Sequence, residues 1–133
     1  NYDCEGVFTV GEQVYLLTKH RSDTNTRLYR LDDPQTDRVN ELTLVDEFDV
    51  MGQAVGADAS PDGLKLVVIT YDRIWLFERQ EQTQSFFTGA ISWGRYEADQ
   101  VEAVCFAEDG TLLLADEATA RLYSVSIDQL KVR

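Results

Sequence analysis

Acidic residues recur near the start of three similar stretches of the sequence, and carboxylates in this arrangement suit a site for a hard cation. The position is occupied by Asp3 and Glu5 in the first stretch, by Asp58 in the second and by Glu102 in the third. Ca²⁺ takes about six to eight oxygen ligands, and carboxylates are prominent among them. The four carboxylates are therefore candidate calcium ligands, although acidic residues at strand ends also serve as turn caps or solvated charges.

A second set of polar residues follows the apolar centre of each stretch. It comprises Lys19 and His20, Tyr71, and Glu117. If the carboxylates face a shared channel, these residues lie at its rim, so the candidate binding residues are Asp3, Glu5, Lys19, His20, Asp58, Tyr71, Glu102 and Glu117. The sequence contains no EF-hand spacing, no Gly-rich phosphate loop and no Gly-x-Ser-x-Gly motif that would indicate a specific reaction.

The candidate residues belong to a unit that occurs three times. The copies span residues 5–31, 55–77 and 101–125, and each has the same order of apolar runs and turns. They recur after 46 residues, from Leu31 to Phe77, and after 48 residues, from Phe77 to Val125. A period in this range is typical of the four-stranded blades of a β-propeller.

Each part of the unit has the composition of a β-strand. Short runs rich in Val, Leu, Ile, Tyr and Phe are separated by Gly, Pro, Asp and Asn. Residues 61–63 (Pro-Asp-Gly) and 109–110 (Asp-Gly) predict hairpins between the first and second strands of a copy. Residues 66–69 and 112–114 are continuous apolar runs, which predict second strands buried on both faces.

The outer fourth strands are predicted at residues 42–48 and 86–93, with residues 126–132 left for the third copy. The sequence thus predicts an all-β fold with three four-stranded antiparallel blades, at approximately 1–50, 51–98 and 99–133. Propellers have about four to eight blades, so three leave an apolar face open at each end. We expect the remaining blades of a longer polypeptide to cover these faces, or a second copy that closes a six-bladed ring as a homodimer.

Composition narrows the possible partners and compartments. The net charge of −12 disfavours nucleic acid, because Lys and Arg are needed to displace phosphate counterions, and no apolar run is long enough for membrane insertion. The first residue, Asn1, leads us to expect a processed or excised chain. Cys4 and Cys105 lie in apolar segments, which predicts buried free thiols, with a disulfide as the alternative.

Several segments resemble a group of secreted bacterial propeller proteins, similar to the phytase-like and WD-repeat-like families. The segments are residues 3–6 (Asp-Cys-Glu-Gly), 16–19, 27–31, 56–63 (with Ser-Pro-Asp-Gly) and 101–106. The chain resembles the C-terminal half of such a propeller, which implies a secreted or periplasmic location. Our first hypothesis for the function is a non-enzymatic binding module of unassigned ligand. The alternative is a phytase-like or lactonase-like hydrolase in which channel-bound Ca²⁺ polarises a phosphate or ester oxygen, and a third is a purely structural domain.

Overall fold

The described part of the chain, residues 3–133, contains twelve short β-strands. A computed structural model describes residues 3–133, and this part of the chain contains antiparallel sheets, two single-turn 3₁₀ helices and no α-helix. The predicted all-β, antiparallel class is therefore confirmed. The strands form three sheets that follow one another along the chain, except that the last strand returns to the second sheet.

The first sheet has four strands in chain order. They are β1 (Asp3–Val10), β2 (Gln13–Lys19), β3 (Asn25–Leu31) and β4 (Leu42–Asp49). Gly11 takes a φ of 57° in the turn between β1 and β2, a conformation that costs glycine little because it has no Cβ. The predicted fourth strand at residues 42–48 is confirmed, with one further residue.

The second sheet has five strands. They are β5 (Gly56–Ala59), β6 (Lys65–Ile69), β7 (Arg73–Glu78), β8 (Ala90–Arg95) and β12 (Lys131–Val132). The predicted hairpin at residues 61–63 does join β5 and β6. The fourth strand begins later than predicted, because the Ser85 hydroxyl accepts a hydrogen bond from Phe87 N and caps a 3₁₀ helix, Phe86–Thr88.

The third sheet has three strands, so the prediction of three four-stranded blades is wrong in its strand count. They are β9 (Val101–Phe106), β10 (Leu112–Asp116) and β11 (Arg121–Val125). Residues 126–132 do not form a fourth strand here. Ser126 and Gln129 make a capping box around a second 3₁₀ helix, which redirects the chain, and β12 then pairs with β8.

The sheets pack on one another in sequence through their first strands, since β1 lies against β5 and β5 lies against β9. Side chains of β6 divide between the two resulting cores. Leu66 and Val68 join the core shared with the first sheet, while Val67 and Ile69 join the core shared with the third. The predicted burial of this strand on both faces is confirmed. Truncating one of these side chains, such as Leu66→Ala, is expected to cost about 2–5 kcal/mol.

One face of the first sheet and one face of the third are open. On the first, the strand register aligns Val7, Leu16, Tyr29 and Leu44, and Val7 is 60% and Leu44 54% exposed. On the third, it aligns Ala103, Ala115 and Leu122, of which Leu122 is 67% exposed. We call these rows the first and third end faces. No sheet formed by residues 3–133 covers them.

The cysteines are free, but the prediction that they are buried is wrong. Cys105 pairs with Leu113 across β9 and β10, at a position where alternation turns the side chain away from the core. Cys4 lies beside a bulge near the start of β1 and is also exposed. In the described residues no helix is long and apolar enough to cross a membrane.

Candidate functional site

Polar residues from all three sheets meet where β1 and β9 begin and where β2, β6 and β10 end. We call this group the rim. It consists of Glu5, Lys19, Tyr71, Gln100, Glu102 and Glu117. Lys19, Tyr71 and Glu117 occupy similar places, since Lys19 is the last residue of β2, Tyr71 lies two residues after β6 and Glu117 directly follows β10. The packing of the three sheets therefore brings these residues together.

The rim is connected by hydrogen bonds without a break. Lys19 Nζ donates to Glu5 Oε1 at 3.3 Å and to the Tyr71 hydroxyl at 3.1 Å. The Tyr71 hydroxyl donates to Glu102 Oε1 at 3.2 Å. Gln100 Nε2 donates to the same Glu102 oxygen and to Glu117 Oε1. One polar path thus runs across all three sheets.

Both glutamates that start the strands sit at β-bulges. The register of β1 with β2 shifts between Cys4 and Gly6, which leaves Glu5 unpaired, and the register of β9 with β10 shifts so that Glu102 is left unpaired. A bulge re-aims the side chain of the extra residue, and bulges are frequent beside functional sites. The second sheet has the buried Val55 at the equivalent place, so only the outer two sheets contribute a carboxylate from this position.

Lys19 is the positive centre of the rim and is only 6% exposed. Burial disfavours its ammonium form, but hydrogen bonds to Tyr71 and Glu5 outweigh that effect, so the pKa of Lys19 is raised above its usual value. The rim therefore carries one ammonium and three carboxylates, Glu5, Glu102 and Glu117, and has a net negative charge.

Asp116 shapes the turn that presents Glu117. Its carboxylate accepts backbone N–H bonds from Asp99, Ala118 and Thr119 at 3.0–3.1 Å. Burial acts to raise the pKa of Asp116, yet hydrogen bonds from Thr119 and from the backbone of Asp99 and Gln100 outweigh burial and lower it. Asp116 therefore stays ionised and fixes the turn rather than offering a free carboxylate.

A cleft of about 490 Å³ adjoins the rim between the second and third sheets. Its lining is Tyr71, Asp72, Tyr96, Glu97, Ala98, Asp99, Arg121 and Tyr123. Burial, with the nearby charges of Asp72 and Asp116, raises the pKa of Tyr96, so its hydroxyl stays protonated and donates to Thr70 O. The volume falls within the range of small-molecule sites, about 300–1,000 Å³.

No family model matches this chain. A search of curated proteins also found no match. The resemblance to secreted bacterial propellers and the location that it implies therefore stay predictions, and the site must be argued from its own geometry.

Three of the eight candidate residues lie outside the rim. Asp3 pairs with Arg21 at 2.9 Å on the surface, and His20 Nδ1 lies 3.1 Å from the Asp23 carboxylate. Asp58 Oδ2 accepts a hydrogen bond from Phe106 N at 2.8 Å, which ties β5 to β9. The other five candidates, Glu5, Lys19, Tyr71, Glu102 and Glu117, are brought together. Gln100 was missed, because a neutral amide just before a strand carries no distinguishing signal in the sequence.

Two of the four candidate calcium ligands, Glu5 and Glu102, lie in the rim, and all four accept hydrogen bonds from protein groups. Asp3 binds Arg21, Glu5 binds Lys19, Asp58 binds a backbone N–H, and Glu102 accepts from Tyr71 and Gln100. Over residues 3–133, no group of three or more His, Cys, Asp and Glu side chains is placed to hold a metal ion. Calcium binding therefore stays a prediction.

Proposed function

We propose that the chain forms three consecutive blades of a β-propeller and acts as a binding module whose rim recognises a positively charged group on a ligand or partner. The propeller proposal is supported by three sheets that follow the chain order and touch through β1, β5 and β9. It is also supported by β6, which packs on both neighbouring sheets as a strand in the middle of a blade stack does.

The observation that carries the binding proposal is the continuous hydrogen-bonded path from Glu5 to Glu117. Such a path holds the side chains of three sheets in fixed positions, which lowers the ordering cost of binding. Its charge is negative, and the adjoining cleft adds three carboxylates, Asp72, Glu97 and Asp99, against the single cation Arg121. A cationic group is therefore the complementary ligand.

Calorimetric titration with a short lysine-rich peptide tests this proposal. The double variant Glu102→Gln/Glu117→Gln removes two rim charges, while Glu12→Gln/Glu108→Gln removes two exposed charges in hairpin turns at the opposite ends of the strands. Exposed ion pairs contribute about 0.2–1 kcal/mol each, so we expect the loss of two rim charges to weaken binding by up to about thirtyfold and the control variant to weaken it much less. Equal weakening in both variants would reject the rim as the site.

The same titration with Ca²⁺ tests the hydrolase that the family resemblance implied. If the chain is a binding module of the proposed kind, we expect no saturable Ca²⁺ binding that depends on Glu102. Saturable Ca²⁺ binding that is lost in Glu102→Gln would overturn the proposal in favour of a calcium-dependent activity.

We further infer that blades of the same kind cover the two end faces. Within one copy, the second and third sheets each use one face to contact the sheet before them, through β6 and β10. The first end face is the same side of the first sheet, so it is suited to contact the third end face of another copy, head to tail. Two copies joined in this way make six sheets, within the range of about four to eight blades for closed rings.

Light scattering on the purified chain decides where those blades come from. A mass of twice 15.1 kDa, together with a Cys105 thiol that does not react with thiol reagents, indicates that a second copy covers the end faces. A mass of 15.1 kDa with reactive Cys105 and strong binding of an apolar dye indicates blades from a longer polypeptide. A 15.1 kDa species that binds no dye would contradict the inference. The secreted or periplasmic location remains a prediction from the resemblance.

A further inference from the structure

A second pocket lies on the outer strands of the second sheet and shares no lining residue with the rim. Its volume is about 250 Å³ and its lining is Met51, Arg73, Trp75, Trp93, Arg95 and Arg133. We call it the arginine pocket. It combines three guanidinium groups with two indole rings, in a protein whose sequence has 12 basic residues against 24 acidic ones.

The strand register creates this combination. Across β7 and β8, Arg73 lies opposite Arg95 and Trp75 lies opposite Trp93, and all four share one face because side chains alternate along a strand. Like charges directly opposite each other on a sheet are destabilising. An anion bound between Arg73 and Arg95 would remove that repulsion.

The three arginines have no carboxylate partner within 4 Å in the described chain, although other arginines do. Arg73 donates to Met51 O at 2.7 Å, which fixes its side chain. The carboxylate of Asp49 is close enough to interact with the charges of Arg133 and Arg73. Hydrogen bonds from Thr24 and Met51 N occupy it, and with a smaller contribution from Arg133 and Arg73 they lower its pKa.

The walls of the arginine pocket suit a flat apolar body. The rings of Trp75 and Trp93 are 6.2 Å apart, and the Trp75 indole N–H donates to Val50 O at 2.8 Å, which holds its ring in place. The guanidinium of Arg133 lies over the Trp75 ring at 5.6 Å and over the Phe48 ring at 5.4 Å. Guanidinium groups bind carboxylates through paired N–H donors and also stack on aromatic rings.

We infer that the arginine pocket binds a small aromatic carboxylate. The carboxylate lies between Arg73 and Arg95, and the ring lies against the tryptophans. Because the pocket is smaller than the usual range for drug-sized ligands, about 300–1,000 Å³, a single-ring acid fits best. This inference does not depend on the rim or on ring closure.

Intrinsic fluorescence reports on this pocket specifically, because Trp75 and Trp93 are the two tryptophans of the sequence. Titration with phenylacetate is expected to give a saturable change in tryptophan emission. Phenylacetamide has the same ring without the charge and is expected to bind at least about tenfold more weakly. The reason is that the arginines make stronger hydrogen bonds to a charged carboxylate than to a neutral amide. Equal responses to the acid and the amide would overturn the inference, as would no saturable response to either.

Arginine variants locate the binding. Arg95→Gln is expected to weaken phenylacetate about tenfold or more, and Arg95→Lys to recover only part of the loss, because lysine keeps the charge but lacks the planar fork. Arg38→Gln removes an exposed arginine that pairs with Asp37 in a distant loop and should leave binding unchanged. Arg95 is exposed, so folding should tolerate its replacement. Equal effects of Arg95→Gln and Arg38→Gln would refute the assignment.

Discussion

Replacing Asp58 tests the fold. This residue was predicted to be a calcium ligand, but in the structure its carboxylate joins two sheets. Its Oδ2 accepts a 2.8 Å hydrogen bond from Phe106 N, across the contact between the second and third sheets. Hydrogen bonds to charged groups contribute about 1.5–3 kcal/mol. Asp58→Ala removes the acceptor and leaves the N–H unsatisfied, so the free energy of unfolding should fall by about that amount. Asp58→Asn keeps an acceptor oxygen and should cost less than half as much.

Urea unfolding followed by tryptophan fluorescence measures these losses. With a denaturant dependence of about 1–3 kcal/mol per molar urea, Asp58→Ala should lower the midpoint by about 1 M. Asp37→Ala serves as the control, because Asp37 lies in an exposed loop and pairs only with Arg38. Exposed replacements of this kind change stability by no more than about 0.5 kcal/mol.

Amide hydrogen exchange gives a second readout at a single atom. The Phe106 N–H should be protected in the unaltered protein and should exchange about ten- to a hundredfold faster in Asp58→Ala. If Asp58→Ala left both the midpoint and the Phe106 exchange rate unchanged, the bond would not join the two sheets and the packing described above would be wrong.

Three further outcomes follow from contacts described above. Partial burial raises the pKa of Cys4, and the charges of Asp3 and Glu5 raise it further. In the variant Cys105→Ser, the Cys4 thiol should therefore be alkylated more slowly at neutral pH than a free cysteine peptide, and its rate should rise at higher pH. A rate equal to that of the peptide would contradict the raised pKa. A Cβ on Gly89 would lie 2.1 Å from a backbone carbonyl oxygen, so Gly89→Ala should lower the free energy of unfolding by more than about 2 kcal/mol in urea, and an unchanged midpoint would disprove the contact. The pKa of Lys19 is raised in the folded state, so the stabilisation that its ammonium group gives is complete below about pH 10.4 and is lost as the pH rises through the folded pKa. The difference in urea stability between the unaltered protein and Lys19→Met should therefore shrink above that pH. A constant difference would contradict the assignment.

Strand positions were predictable from the sequence because turn residues and apolar runs follow strict local rules. The Pro-Asp-Gly turn marked the β5–β6 hairpin, and the unbroken apolar run of β6 showed that both of its faces are packed. The rim was predictable for a different reason. Equivalent positions of a repeat lie close together when the copies stack, so the residues at or just after the ends of β2, β6 and β10 were expected to lie near one another.

Other features depend on packing and could not be deduced from local patterns. Cys105 has apolar neighbours in sequence, yet strand alternation turns it away from the core. Asp58 looked like a channel carboxylate, but a neighbouring backbone N–H uses its oxygen. The arginine pocket joins residues from β7, β8 and the chain beyond β12, and only the strand register shows that they share one face.

The placement of β12 has a consequence for how the molecule comes apart. After β11 in the third sheet, the chain turns back and β12 pairs with β8 in the second sheet. The C-terminal segment therefore connects two neighbouring sheets. Modular repeats that touch only their neighbours can melt one at a time. Here β12 adds a backbone connection between the last two sheets, and the first two sheets share the larger of the two cores, so we expect the three sheets to unfold together rather than one at a time.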